Sequence, residues 1–141
     1  MKKYLLLLML VLVLTGCSKS KSIVIEVKEE EIEKVKIELN TKDGLDMEQK
    51  EDIVVFKKDK KEIATSEFSS KMYCDAILEQ VATLDSVLVL EEEKDSIFYE
   101  YDKTSYIYYT RIKDANSCLT IQSASKESVE EIRENLTLTV E

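Results

Sequence analysis

Few residues in this chain have the types and spacing that chemistry needs, and histidine is absent altogether. Without it the chain lacks the commonest general base and the commonest zinc ligand. A Ser-His-Asp or Cys-His site is therefore impossible within one chain. Ser123-Ala124-Ser125-Lys126 fits the S-x-x-K spacing of serine acyl enzymes. The companion S-D-N and K-T-G motifs are missing, and the same four residues read as the capped start of a helix. The acidic runs Glu29-Glu30-Glu31 and Glu91-Glu92-Glu93 offer oxygen ligands of the kind calcium takes. Neither run has the spaced Asp/Asn and glycine of a calcium loop, so both read as solvated charge at strand ends. Paired carboxylates can also run glycoside hydrolysis, yet nothing marks one glutamate as buried and the chain has no tryptophan. No catalytic residue and no metal ligand is assigned.

Tyrosine is the distinctive residue that remains. Tyr99, Tyr101, Tyr106, Tyr108 and Tyr109 fall within eleven positions. In period-2 strands Tyr99 and Tyr101 share one face, and Tyr106 and Tyr108 share one face of the next strand. A hairpin could set those four rings side by side as a docking surface, because tyrosine offers area at low entropy cost. The alternative is structural: cross-strand aromatic pairs stabilise sheets, and a helix can cover them.

These residues need elements to position them, and alternation of apolar and polar residues supplies most of those elements. Ile23, Ile25 and Val27 predict one strand, and Val35, Ile37 and Leu39 a second, joined through residues 28–33. Thr41-Lys42-Asp43-Gly44 reads as a turn. Ile53 to Lys57 and Ile63 to Phe68 predict a hairpin closed by Lys58-Asp59-Lys60-Lys61. Ser69 or Ser70 caps a helix expected from about Lys71 to Leu84, with Tyr73, Ile77, Val81 and Leu84 at helical spacing. Four strands follow at Val87 to Glu91, Ile97 to Tyr101, Tyr106 to Ile112 and Cys118 to Ser123, with turns at residues 92–96, 102–105 and 113–116. Connections this short imply antiparallel neighbours. Ser125 caps a second helix to about Asn135, and Leu136, Leu138 and Val140 alternate in a last strand.

The N-terminus is a targeting segment. Lys2 and Lys3 precede an apolar run from Tyr4 to Leu14, about half the roughly 20 residues a spanning helix needs. Leu14-Thr15-Gly16-Cys17 then resembles the lipobox of bacterial lipoproteins. That resemblance implies cleavage between Gly16 and Cys17 and a diacylglyceryl or acyl lipid on the Cys17 thiol, with no other cofactor. It also implies residence on the outer face of the cell membrane. The expected organisation is a signal peptide at 1–16, a lipidated cysteine and short linker at 17–22, and one domain at 23–141.

Removing Lys2 and Lys3 leaves 18 basic residues against 29 acidic ones, a net charge of −11. Such a surface repels polyanions, so nucleic acid is not an expected partner. Membrane attachment then rests on the lipid, since two buried acyl chains anchor stably where one does not. Lys19 and Lys21 add weak attraction to anionic headgroups. With Cys17 modified, Cys74 and Cys118 remain, and outside the cytoplasm a disulfide between them is permitted. Cys74 shares a helix face with Ile77, Leu78 and Val81. Should that helix cover the Leu119 and Ile121 face, the pleat would point Cys118 away, so two free thiols stand as the alternative.

The segment from Cys118 through the helix K-E-S-V-E-E-I-R-E-N to L-T-L-T-V is similar in pattern to the C-terminal half of PsbP-like domains. That resemblance implies an α-β-α sandwich, and it carries over no functional residue. The expected fold class is α+β, an antiparallel sheet with two packed helices. The expected role is an anchored protein-binding or accessory module of the cell envelope, working through the tyrosine hairpin or a sheet edge with an envelope protein as partner. The alternatives are a small carboxylate- or serine-dependent hydrolase and a ligand-binding lipoprotein.

Overall fold

The computed structural model describes residues 19–28 and 32–141. Gly16, Cys17 and the Glu29-Glu30-Glu31 run lie outside the described residues. Ten strands and two helices follow in order: β1 (Ser20–Lys28), β2 (Ile32–Asn40), β3 (Leu45–Lys50), β4 (Ile53–Lys58), β5 (Lys61–Ser70), α1 (Lys71–Gln80), β6 (Val87–Glu93), β7 (Ser96–Tyr101), β8 (Ser105–Arg111), β9 (Ser117–Ser123), α2 (Lys126–Asn135) and β10 (Leu136–Val140). Short 3₁₀ turns at Lys42–Gly44 and Val81–Thr83 complete the path. The strands form two antiparallel sheets, a small one in the order β1-β2-β10 and a large one in the order β3-β4-β5-β9-β8-β7-β6.

This architecture corrects the expected α-β-α sandwich. Among the described residues the fold is mostly strand, with two α-helices of ten residues each, and the layer over much of the large sheet is a second sheet. Ile25, Val27, Val35, Ile37 and Leu39 of β1 and β2 are buried against Met47, Val54, Phe56, Leu119 and Ile121 of the large sheet. Val129 and Ile132 of α2 complete that core. Alternation in β1 and β2 is thus real, but it buries one face of a separate sheet rather than extending a single one.

Strand β3 has no counterpart in the expected elements. Only Leu45 and Met47 alternate inward there, and both are buried. The turn before it holds Asp43 at φ 58° and Gly44 at φ 82°, left-handed backbone that glycine adopts without strain. A Cβ at Gly44 would run into the Asp59 carboxyl. Strand β1 begins at Ser20, inside the segment expected as linker, and the Thr41 N–H donates to the Lys19 carbonyl at 2.8 Å.

Helix α1 is shorter than expected and turned. Ser70 accepts a hydrogen bond from the Tyr73 N–H at 3.3 Å, and the α-helix gives way to a 3₁₀ turn after Gln80. Its inward stripe is Cys74, Ile77, Leu78 and Val81, whereas Tyr73 and Leu84 are 57% and 50% exposed. The helix covers the face of the large sheet opposite α2, where Ile97, Tyr99, Tyr109 and Cys118 form a second buried cluster. On that face the pleat points Cys118 toward α1. Cys74 and Cys118 are joined by a disulfide with Cα atoms 5.9 Å apart. Ser125 caps α2 by accepting from the Ser128 N–H at 3.3 Å.

Candidate functional site

Strand alternation divides β8 between the two faces of the large sheet. Directly paired residues share a face, and the register sets Phe98 opposite Tyr108, Tyr99 opposite Ile107, and Tyr101 opposite Ser105. Tyr99, Tyr101 and Tyr109 consequently face α1, while Tyr106 and Tyr108 face α2. The expected row of four rings does not form. Tyr99 is buried, and burial pushes its phenol up to about 12. Tyr101 is 40% exposed, at the margin of the α1 face. Tyr109 is buried with its hydroxyl 2.6 Å from that of Ser69, and burial raises its pKa as well. Tyr106 is held above its ordinary value chiefly by the Glu100 carboxylate.

Tyr108 lines a concave part of the molecule. Helix α2 buries Val129 and Ile132, which turns Glu130, Arg133 and Glu134 toward the outer half of the large sheet. The Arg133 guanidinium lies 4.1 Å from the Tyr108 ring centroid and 5.2 Å from that of Phe98. Those two rings meet edge to face at 6.4 Å. Arg133 also donates to the Glu91 carboxylate at 2.9 Å, so its charge is shared between two rings and an acid from β6. Beside this group opens a cleft of about 500 Å³, lined by both sheets and α2. Ile112, Leu119 and Ile121 lie buried beneath it, Leu136 and Leu138 of β10 form an apolar side, and Thr110, Lys113, Glu130 and Glu134 make the rest polar.

The other expected groups lie apart from this cleft or take structural duties. The Ser123 hydroxyl donates to the Ile63 carbonyl at 2.5 Å and accepts from the Ser125 N–H at 3.1 Å. Lys126 lies 3.6 Å from Glu130 rather than beside Ser123. Of the acidic run at Glu91-Glu92-Glu93, Glu91 is engaged by Arg133. Lys21 pairs with Asp46 at 3.0 Å and lowers that carboxyl's pKa. The Glu33 carboxylate accepts from the Asn116 N–H and the Ser117 hydroxyl, tying the small sheet to the β8–β9 turn. Arg133, Leu136 and Leu138 were not singled out from sequence as site residues. Arg133 and Glu91 are 42 positions apart, and no local pattern links them.

Among known families, residues 1–18 match the model of the prokaryotic membrane lipoprotein lipid attachment site. The N-terminus is that of a membrane-anchored bacterial lipoprotein. No curated protein and no solved structure matches the chain. The resemblance to PsbP-like domains finds no support, and the two-sheet fold of this lipoprotein departs from their sandwich.

Proposed function

We propose that this lipoprotein is an extracytoplasmic binding module that holds a protein partner at the outer face of the cell membrane, and that it is not an enzyme. The observation that carries the reading is the cleft beside Tyr108, whose walls mix aliphatic with charged side chains and whose central cation is already satisfied by Glu91 and two aromatic rings. Such a surface offers area and shape to a partner rather than a poised reactive group. A serine hydrolase would need the Ser123 hydroxyl free, and that hydroxyl is held by a backbone carbonyl.

The test is site-specific photo-crosslinking in intact cells with the full-length lipidated protein. A crosslinker at Thr110, on the cleft rim, is expected to yield one discrete protein adduct, and one at exposed Gln122 on the opposite face none. Equal labelling at both positions, or no adduct from correctly anchored protein, would overturn the reading.

A further inference from the structure

Each of the two sheets has two edge strands, and three of the four edges are blunted. Strand β1 carries Lys21, Glu26 and Lys28, and β3 carries Asp46, Glu48 and Lys50. Strand β6 is bulged between Val89 and Glu91 and ends in three glutamates. Charges and bulges of this kind stop a free edge from pairing with another chain. Strand β10 has neither. Its sequence is Leu-Thr-Leu-Thr-Val, among the described residues it pairs with β2 alone, and its register with β2 is regular throughout.

That unprotected edge borders the cleft. Leu136 and Leu138 line it, and the large sheet runs beneath it and continues through β7 and β6. The position is that of a missing fourth strand of the small sheet. The geometry points to strand addition: β10 takes up an extended segment of a partner protein, whose backbone pairs with the β10 edge and whose alternate side chains lie beside half-buried Leu136 and Leu138. This rests on the binding reading above and specifies its mode.

Two features choose the occupant. A second copy paired through β10 would be related by a twofold axis normal to the small sheet. Its own large sheet would then fall on the same side, where β7 and β6 of the first copy already stand, so a lone strand fits and a second domain does not. Charge chooses the composition. Glu130 and Glu134 stand on the cleft wall, Arg133 is neutralised by Glu91, and the Arg111 guanidinium is held on the opposite face by Asp75. Lys113 is the remaining cation of the rim. With a net charge of −9 on the whole chain, the fitting segment alternates apolar and small polar residues and is flanked by lysine or arginine.

The probe is a fluorescent heptapeptide of alternating valine and threonine with a lysine at each end, titrated against the full-length lipidated chain in detergent micelles. Saturable binding is expected. It should weaken about tenfold when alternate peptide nitrogens are methylated to remove two backbone donors. Glutamate in place of the terminal lysines should weaken it several-fold, as should Val140→Pro, which removes an N–H that alternates to the open edge while the Glu141 N–H pairs with Lys34 of β2; Tyr73→Ala on the α1 face leaves it unchanged. Methylation alters only the peptide, so its result stands even where Val140→Pro misfolds. Equal binding of the methylated peptide, or none at millimolar concentration, would overturn strand addition. Crosslinking at Thr110 would then decide separately whether the binding reading survives. Sedimentation as a dimer that Val140→Pro dissolves would instead assign the edge to a second copy.

Discussion

The two faces of the large sheet are closed by different means. On the α1 face a ten-residue helix is fastened by the Cys74–Cys118 disulfide and by a hydroxyl contact between Ser69 and Tyr109. On the α2 face a second sheet and a helix share the cover, and the join between them leaves the cleft. The covalently fastened face uses its tyrosines as filling. The other face, held by packing and by polar contacts such as Arg133 with Glu91, keeps Tyr108 at an open margin, under Arg133. Rigidity and availability are thus separated within one sheet: what is locked is on one side, and what can receive a partner is on the other.

Removing the disulfide should break this contrast most. The double variant Cys74→Ala/Cys118→Ala opens a link across a sequence separation of 44, and a loop of that size is worth about 4 kcal/mol in the chain-entropy account. Urea unfolding is expected to show that loss, with peptide binding at the cleft retained in the protein that stays folded. Ile132→Ala, in the α2-face core, should cost about 3 kcal/mol. It should also weaken binding, because Arg133 and Glu134 ride on the same helix. A loss of stability without any change at the cleft would argue that α2 does not shape it.

Arg133→Leu is a finer test. The ion pair with Glu91 is partly exposed and the cation lies over two rings, so the expected loss is only about 1 kcal/mol. Alkaline titration probes the locked face alone. The Tyr99 phenol is held up to about 12 from an ordinary value of 10.0, chiefly by burial. Its neutral form is favoured by folding, so its contribution is intact below pH 10 and is lost as the pH climbs toward 12. Thermal unfolding followed across that window should fall less steeply for Tyr99→Phe, and the phenolate absorbance should lose its last-titrating component. An unchanged profile would mean that Tyr99 is not the buried phenol.

Much of the strand content was legible because alternation is local. Ile23, Ile25 and Val27 announce β1, and Leu136, Leu138 and Val140 announce β10, whichever sheet they join. That last choice was not legible, since a period-2 pattern names the buried face and not the neighbour that buries it. Strand β3 was missed because Leu45 and Met47 are its only apolar pair. The tyrosines failed by one residue of register. A four-residue turn over 102–105 would set Tyr101 opposite Tyr106, whereas the observed three-residue loop sets it opposite Ser105 and sends Tyr106 to the other face. Helix caps at Ser70 and Ser125 were readable, since a serine before a helical pattern satisfies an N–H that nothing else reaches. At the site, Tyr108 was visible as one of a cluster, but its partner Arg133 and the β10 wall come from distant parts of the chain.

The small sheet joins the first two strands of the domain to its last one. An exported chain that threads outward N-terminus first releases β1 and β2 early, yet their third strand emerges only after every strand of the large sheet. Until β10 arrives, Ile37 and Leu39 lack the partners Leu138 and Leu136 that pair with them. Closure of the small sheet therefore waits for the rest of the domain, and a chain cut before Leu136 would display an unfinished hairpin to the proteases of the envelope.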